Sequence, residues 1–424
     1  MMAHEDLHTI PITDRPPQAQ GLSFGGLAFI VVFNIGCICV NGSQLLLVPL
    51  ALVAPRLYRA TIRKTKASFG LLLVLMCQWF APTSLVVTCE GGNGIEEVVV
   101  RDENGRVTEL KLPPQVVMMP NHQIYADWWY LWCLSYSMRA HADVLIILKD
   151  SLKWIPIVGW GMQFFQFIFL ARSWAHDKQR LTSHLTHLAR TAASSQLPFL
   201  LLLFPEGTLV SPNTRPLSAK YATKIGIQDM QHILLPRSTG LLFCLRALAP
   251  HMQSLKLLDV TVAYPGIPRG GYGQAYYTLR SIFMQGVPPP RVHVHLRLYD
   301  VARDVPIGVP RDAEEANETE RAAFDQWLLA RWKEKDDLME QQLIEGRFRA
   351  YTEKPVASSV TIGGGKENKR WDEERAYVKG SSGAVEWPIR LNSRVEIMDA
   401  FCWFMPFIVG VAVWKLSLFI KSVM

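Results

Sequence analysis

The run Phe199-Leu200-Leu201-Leu202-Leu203-Phe204, with the turn Pro205-Glu206-Gly207-Thr208 behind it, decides the fold. A short apolar run closed by turn formers is the mark of a strand buried on both faces of a parallel sheet. Working outward, similar short runs occupy residues 116–119, 144–148, 167–170, 233–235 and 257–263. Helical periods fall between them, over 127–138, 177–194, 218–226 and 239–248. Strands alternating with helices give an α/β domain with a mostly parallel sheet and flanking helices. Ahead of it, apolar residues 98–100 and 107–112 flank Asp102-Glu103-Asn104-Gly105, a hairpin signal. Behind it, Val292, Val294, Leu296 and Leu298 alternate with His293, His295 and Arg297, which predicts a half-buried strand at a sheet edge. The His-x-His pair on that strand lacks a third ligand nearby, so it is expected to face solvent rather than hold a metal.

Outside this body the chain turns apolar. No charged residue occurs between Pro16 and Pro55. Residues 22–53 suit one tilted span or, given Asn34, Asn41, Gly42, Ser43, Gln44 and Pro49, a re-entrant or in-plane helix. Arg56, Arg59, Arg63, Lys64 and Lys66 follow without an acid among them, as expected of a cytoplasmic, membrane-surface flank. Residues 67–89 form a second uncharged run, and residues 400–414 a third, with aromatic residues suited to an interface. The softer run 154–171 reads as partly core and partly membrane-dipping surface. The expected organisation is a polar tail (1–21), membrane segments with a basic connecting loop (22–89), the α/β domain (90–310), a charged helical hairpin (311–351), a flexible linker (352–392) and a C-terminal anchor (393–424). With one dipping segment the domain is expected to face the cytoplasm, and glycosylation at the Asn317-Glu318-Thr319 sequon would overturn that side.

Composition agrees with this plan. A chain that is 49% hydrophobic and 19% charged is not wholly disordered. Its mean hydropathy of +0.12 fits a globular body carrying a few membrane segments. The net charge of +7 is modest, and the basic cluster sits between apolar runs, so no nucleic-acid partner is expected. Seven cysteines without a Cys-x-x-Cys pair read as free thiols, and no metal site is expected.

The chemistry lies in two turns. Asn121-His122 follows the strand at 116–119, and Asp127 opens the helix after it. Five positions apart on one helix, His122 and Asp127 would stand about 140° apart. They meet if His122 lies on the turn and Asp127 in the first helical turn. The carboxylate would then hold one ring nitrogen and leave the other free as a base. This is the orienting half of a triad without its serine, so the base would act on a hydroxyl supplied by a substrate. The Glu206-Gly207-Thr208 turn offers backbone N–H groups, a hydroxyl and a carboxylate at a strand's carboxyl end, where an anion or a glycerol hydroxyl can bind. Arg172 and Arg237 each close an apolar run and could converge on the same anionic site.

The order of Asn121-His122…Asp127, an apolar segment ending in Arg172, Phe204-Pro205-Glu206-Gly207-Thr208 and the Leu-Pro end at Pro236 resembles the glycerophospholipid acyltransferase family. The resemblance covers residues 116–265. It implies acyl transfer from acyl-CoA, a co-substrate rather than a cofactor, to a lysophospholipid at a membrane, expected to be that of the endoplasmic reticulum. It casts His122 as general base and Asp127 as its orienter. Asn121, Arg172, Pro205, Glu206, Gly207, Thr208, Pro236 and Arg237 fall on substrate-binding positions. Many lysophosphatidate acyltransferases carry Arg after the Glu-Gly-Thr block. Here Leu209 stands there, and the next arginine is Arg215. Residues 234–240 and 258–266 look like the branch of lysocardiolipin and lysophosphatidylinositol acyltransferases. Two other readings remain: a 1-acylglycerol-3-phosphate acyltransferase, and a catalytically inert lipid-binding membrane protein.

Overall fold

The computed structural model describes residues 4–90, 94–170, 174–195, 197–309, 316–348, 383–406 and 410. Its centre is an eight-stranded sheet. Ten strands are described: β1 (Ser84–Cys89), β2 (Val99–Arg101), β3 (Val107–Leu110), β4 (Gln115–Pro120), β5 (Val144–Lys149), β6 (Ile168–Leu170), β7 (Phe199–Leu202), β8 (Lys256–Ala263), β9 (Arg291–Asp300) and β10 (Val385–Pro388). The order across the sheet is β10-β1-β9-β8-β4-β7-β5-β6, with β2 and β3 forming the separate hairpin the sequence predicts. Pairing is parallel except at β8–β9 and β1–β10.

The main helices are α1 (Phe24–Leu47), α2 (Pro55–Phe80), α3 (Asp127–Ser137), α4 (Val158–Phe164), α5 (Trp174–Ser195), α6 (Arg215–Ile225), α7 (Ser238–Leu248), α8 (Glu318–Glu345) and α9 (Val395–Ala400). Strand period two divides the core. Val116 and Met118 of β4, with Leu200 and Leu202 of β7, face a cluster that includes Leu72 to Cys77 of α2 and Trp129 to Leu134 of α3. Val117, Met119, Phe199 and Leu201 face the opposite cluster, built on Leu181 and Leu185 of α5, Leu241 and Leu245 of α7 and Trp332 of α8. Both faces are covered by helices, which is why these strands read as unbroken apolar runs.

The structure corrects several expectations. Residues 67–89 are not a second membrane segment. Their first half is the buried end of α2, where Leu72 to Cys77 have no exposed surface, and their second half contains β1. Among the described residues, one helical stretch, Pro17–Leu47, is long and apolar enough to cross a membrane. The basic cluster is also divided. Arg63 makes a bidentate pair with Asp143 at 2.6 Å, and buried Lys66 donates to the Val144 carbonyl at 3.0 Å, leaving Arg56, Arg59 and Lys64 exposed. β9 lies between β1 and β8 rather than at an edge, and His293 and His295 are buried. Residues 233–235 are not a strand, because side chains take their donors. The Leu234 N–H goes to Glu206 and the Leu235 N–H to Ser218. The charged region holds one long helix, α8, in place of a hairpin. Asn317 of the sequon caps it, its side chain accepting from the Glu320 N–H. The tail is anchored: buried Arg15 donates to the Ile10 and Tyr276 carbonyls. Part of the expected linker is strand β10, while most of it, 352–382, and residues 407–409 and 411–424 of the expected anchor lie outside the described residues.

Candidate active site

β4, β7 and β8 run parallel, or in the same direction through β4, and deliver their carboxyl ends side by side. In open α/β sheets that edge is where ligands bind. Asn121, next after β4, is fully buried and fastens the edge. Its amide donates to the Val262 carbonyl at 3.0 Å and accepts from the Val262 N–H at 2.7 Å. This is β-ladder hydrogen bonding continued by a side chain after the strand has turned away.

His122 follows on the turn, and Asp127 begins α3. The two meet as the spacing predicts, with Nδ1 2.7 Å from Asp127 Oδ2. The same oxygen accepts from the backbone N–H groups of Gln123 at 2.6 Å and Ile124 at 3.0 Å. Oδ1 accepts from the Tyr264 hydroxyl at 2.6 Å. Every partner of this fully buried carboxylate is a donor, so Nδ1 carries the imidazole proton and Nε2 offers a lone pair. The His122 ring stacks on Phe204 at 4.1 Å between centroids, and its side chain keeps 17% of its surface exposed. The pair is therefore held on one side and open on the other.

Glu206 lies four residues past β7 and is 2% exposed. Its Oε1 accepts from the His122 N–H at 2.9 Å and its Oε2 from the Leu234 N–H at 3.1 Å. Both oxygens are thus committed to backbone, and the side chain ties the two turns together. Burial pushes its pKa up to about 8 against the pull of those two N–H groups, with Asp127 raising it further and Lys335 lowering it. Gly207 has φ of +70°, the left-handed turn conformation that lets the chain fold back after Glu206. Its N–H closes the turn onto the Phe204 carbonyl at 3.0 Å. Pro205 is buried and accepts from the Arg237 N–H at 2.8 Å; Thr208 is half-buried, Pro236 buried, and the Arg237 side chain exposed beside Gly207. Arg172 lies outside the described residues. Arg215 is spent on structure, donating to the carbonyls of Met230, Gln231 and Ile233.

Two residues that sequence reading did not single out support the site. Tyr264, directly after β8, holds the far oxygen of Asp127. Lys335 comes from α8 and is wholly buried. It donates to the Met119 carbonyl at 3.1 Å and the Val260 carbonyl at 2.5 Å, and pairs with Asp259. Burial lowers its pKa, and Asp259 opposes that shift. Tyr264 could have been found as a polar residue at a strand's carboxyl end. Nothing in the period of α8 marks Lys335 among its many charged residues. Among the described residues, no group of three or more His, Cys, Asp or Glu side chains could hold a metal ion.

An orienting carboxylate, an imidazole with one free nitrogen and a strand-edge turn are the parts a general base needs. A protein-family model described as Acyltransferase matches residues 102–264, which span β3 to the end of β8 and contain every one of these groups except Lys335. The chain is 36% identical over 352 residues to the 2-acyl-1-lysophosphatidylinositol acyltransferase of Saccharomyces cerevisiae, covering 76% of this chain and 85% of that one. It is 34% identical over 321 residues to an uncharacterized acyltransferase of Schizosaccharomyces pombe, with coverage of 76% and 85%. Against lysocardiolipin acyltransferase 1 of Danio rerio it is 30% identical over 331 residues, covering 77% and 74%. The chain belongs to the acyltransferase family, and is an enzyme of that class.

Proposed function

We propose that the protein transfers a fatty acyl group from acyl-CoA to a free glycerol hydroxyl of a lysophospholipid, with lysophosphatidylinositol or lysocardiolipin as the acceptor class. The observation that carries the reading is the His122–Asp127 pair, buried on the Asp side and open on the His side, at the carboxyl end of β4. His122 Nε2 takes the hydroxyl proton. The oxygen attacks the thioester carbonyl, the C–S bond breaks, and the imidazolium returns the proton to the CoA thiolate. Asp127 keeps the ring in the tautomer that allows this. The exposed Arg237 guanidinium, beside the left-handed Gly207 turn, is the cation we assign to the phosphate of the incoming lipid. Glu206 acts by shaping both turns. The reaction draws on acyl-CoA as co-substrate and uses no further cofactor.

α1 supplies the membrane contact in this reading. Phe29, Gly36, Cys37, Val40, Asn41 and Gln44 on one face are buried, many of them against α2. Phe24, Leu27, Val31, Ile35, Ile38 and Leu45 form an exposed apolar stripe on the other. A helix packed lengthwise on the body and greasy on its outer face lies in one leaflet with the catalytic domain against it. Trp154 and Trp160 are exposed nearby, on and ahead of α4, which packs on α1. The domain then faces the cytoplasm, at the endoplasmic reticulum.

The test is acyl transfer by the detergent-purified chain, given oleoyl-CoA or stearoyl-CoA with a panel of lysolipids, beside His122→Ala. Product that falls by roughly 10²- to 10⁴-fold in the variant is expected. Preference for lysophosphatidate over the larger acceptors would replace remodelling with phosphatidate synthesis. No transfer by a folded protein would leave the inert lipid-binding reading.

A further inference from the structure

A second cleft, of about 620 Å³, opens between the β2–β3 hairpin, the end of α3 and the segment that follows β10. It lies at the far end of α3 from Asp127, about 15 Å along that helix at 1.5 Å per residue. Arg101, Arg106, Arg390 and Arg394 all line it. Arg101 is paired with Glu96. The other three are exposed and have no carboxylate partner among the described residues. The acids of the lining are occupied: Asp102 accepts from the backbone of Asn104 and Arg106, and Glu386 pairs with Arg291. Four arginines against two carboxylates leave the lining with a surplus of two positive charges.

The wall that presents Arg390 and Arg394 is fixed in place. The Leu391 N–H donates to Gln78 of α2 at 3.1 Å, and the Asn392 N–H to the Tyr136 hydroxyl and to Glu396, each at 2.8 Å. Tyr136 in turn donates to Glu396 at 2.7 Å. The rim is apolar. Lining residues Gln78 and Arg394 are followed at once by exposed Trp79 and Val395, and Met398 and Trp403 are exposed further on. α9 packs on α2, and Cys402 beyond it lies against Ser43 of α1 and Ser68 of α2. The wall of the cleft is thus continuous in the chain with α9, which packs on the helix pair that carries the α1 stripe. A surplus of arginines on a wall joined to membrane-facing helices, with exposed tryptophans beside it in the chain, suits an anionic headgroup at a bilayer surface. A volume in the usual range for small-ligand sites leaves room for one.

We propose that this cleft binds the phosphate headgroup of an anionic membrane lipid, at a site separate from the catalytic pair. The assignment rests on the membrane reading of α1 given above. It is tested by calorimetric titration of the full chain in neutral detergent micelles with dioctanoyl phosphatidylglycerol, dioctanoyl phosphatidylcholine and the chain-free headgroup glycerophosphoglycerol. The anionic lipid is expected to bind at least tenfold more tightly than the other two. The Arg390→Ala/Arg394→Ala double variant should lose that margin, and Arg390→Lys/Arg394→Lys should keep most of it with an unchanged melting temperature. Equal binding by wild type and the alanine variant overturns the site. Equal binding of the chain-free headgroup overturns the lipid as its source, in favour of a soluble phosphate. Flotation with neutral vesicles of wild type against Ile35→Asp tests the membrane reading by itself, so its failure is separable from that of the cleft.

Discussion

Two histidine sites sit on neighbouring parts of one sheet and have opposite properties. His122 stands past the carboxyl end of β4, bonded to a carboxylate and open on its other side. His295 stands in the middle of β9, fully buried, with its Nδ1 2.8 Å from the Thr88 hydroxyl. Burial, with Arg297 and Lys335 nearby, lowers the His295 pKa to about 3, and burial lowers that of His293 to about 4. A hydroxyl partner inside a dry core keeps an imidazole neutral and idle. A carboxylate partner at a strand end keeps it aligned and reachable. The residue type is the same, and the partner and the access decide what it does.

The comparison can be broken most sharply at the orienting groups. Asp127→Asn replaces an acceptor of four donors by a group that is half donor, so the ring loses its fixed tautomer. Turnover is expected to fall by about 10²- to 10⁴-fold, and a steady-state rate within a few-fold of wild type would separate Asp127 from catalysis. Next comes the support behind the site. Lys335→Met leaves buried Asp259 with only the Arg297 guanidinium, 3.9 Å away, at an expected cost of about 3 kcal/mol, read from denaturant unfolding. A loss below about 1 kcal/mol would show that Lys335 does not hold the ends of β4 and β8.

The buried imidazoles predict an acid-sensitive fold. His141, like His293, is lowered to about 4 by burial. With native values of about 3 to 4 against 6.5 unfolded, the unfolded chain binds more protons across that window. The stability these neutral rings allow is complete above pH 6.5 and lost as pH falls through the window toward the native values. Each contributes up to about 1.4 kcal/mol per pH unit. His295→Leu should flatten the acid limb of a stability–pH curve by about that slope, and an unchanged limb would contradict the neutral burial of His295. The smallest effect is at its partner. Thr88→Val should cost about 1 kcal/mol and leave turnover unaltered, in contrast to Asp127→Asn. A melting curve and one rate measurement check both halves.

Much of this was legible in the residues. The strand-turn-helix around His122 announced itself by an apolar run, a turn and a carboxylate at a spacing that only a turn can close. The Glu206 turn and the β2–β3 hairpin were equally plain, since Gly and Asp mark the chain reversals. What escaped reading did so for physical reasons. Residues 67–89 are as apolar as a membrane segment because a helix and a strand sealed inside a large core meet the same requirement. Alternation at 292–298 marks a strand, but it does not say whether the second face meets water or, as here, α8 and Phe348. Lys335 reaches the site across 208 positions from Asp127, from a helix whose charged pattern does not set it apart, a convergence that no local pattern records.

The pairing of β10 with β1 has a consequence for synthesis. β1 is made within the first hundred residues, yet its outer edge is not covered until residues 385–388 have been made, and its inner edge waits for β9. For most of translation this apolar strand is an open template for other chains. A chain cut short between the end of α8 and Val385 would keep the His122 and Glu206 turns and still leave that edge of β1 open. Strand β10 therefore acts as a completion seal, and its loss should surface as aggregation and degradation before it surfaces as lost chemistry.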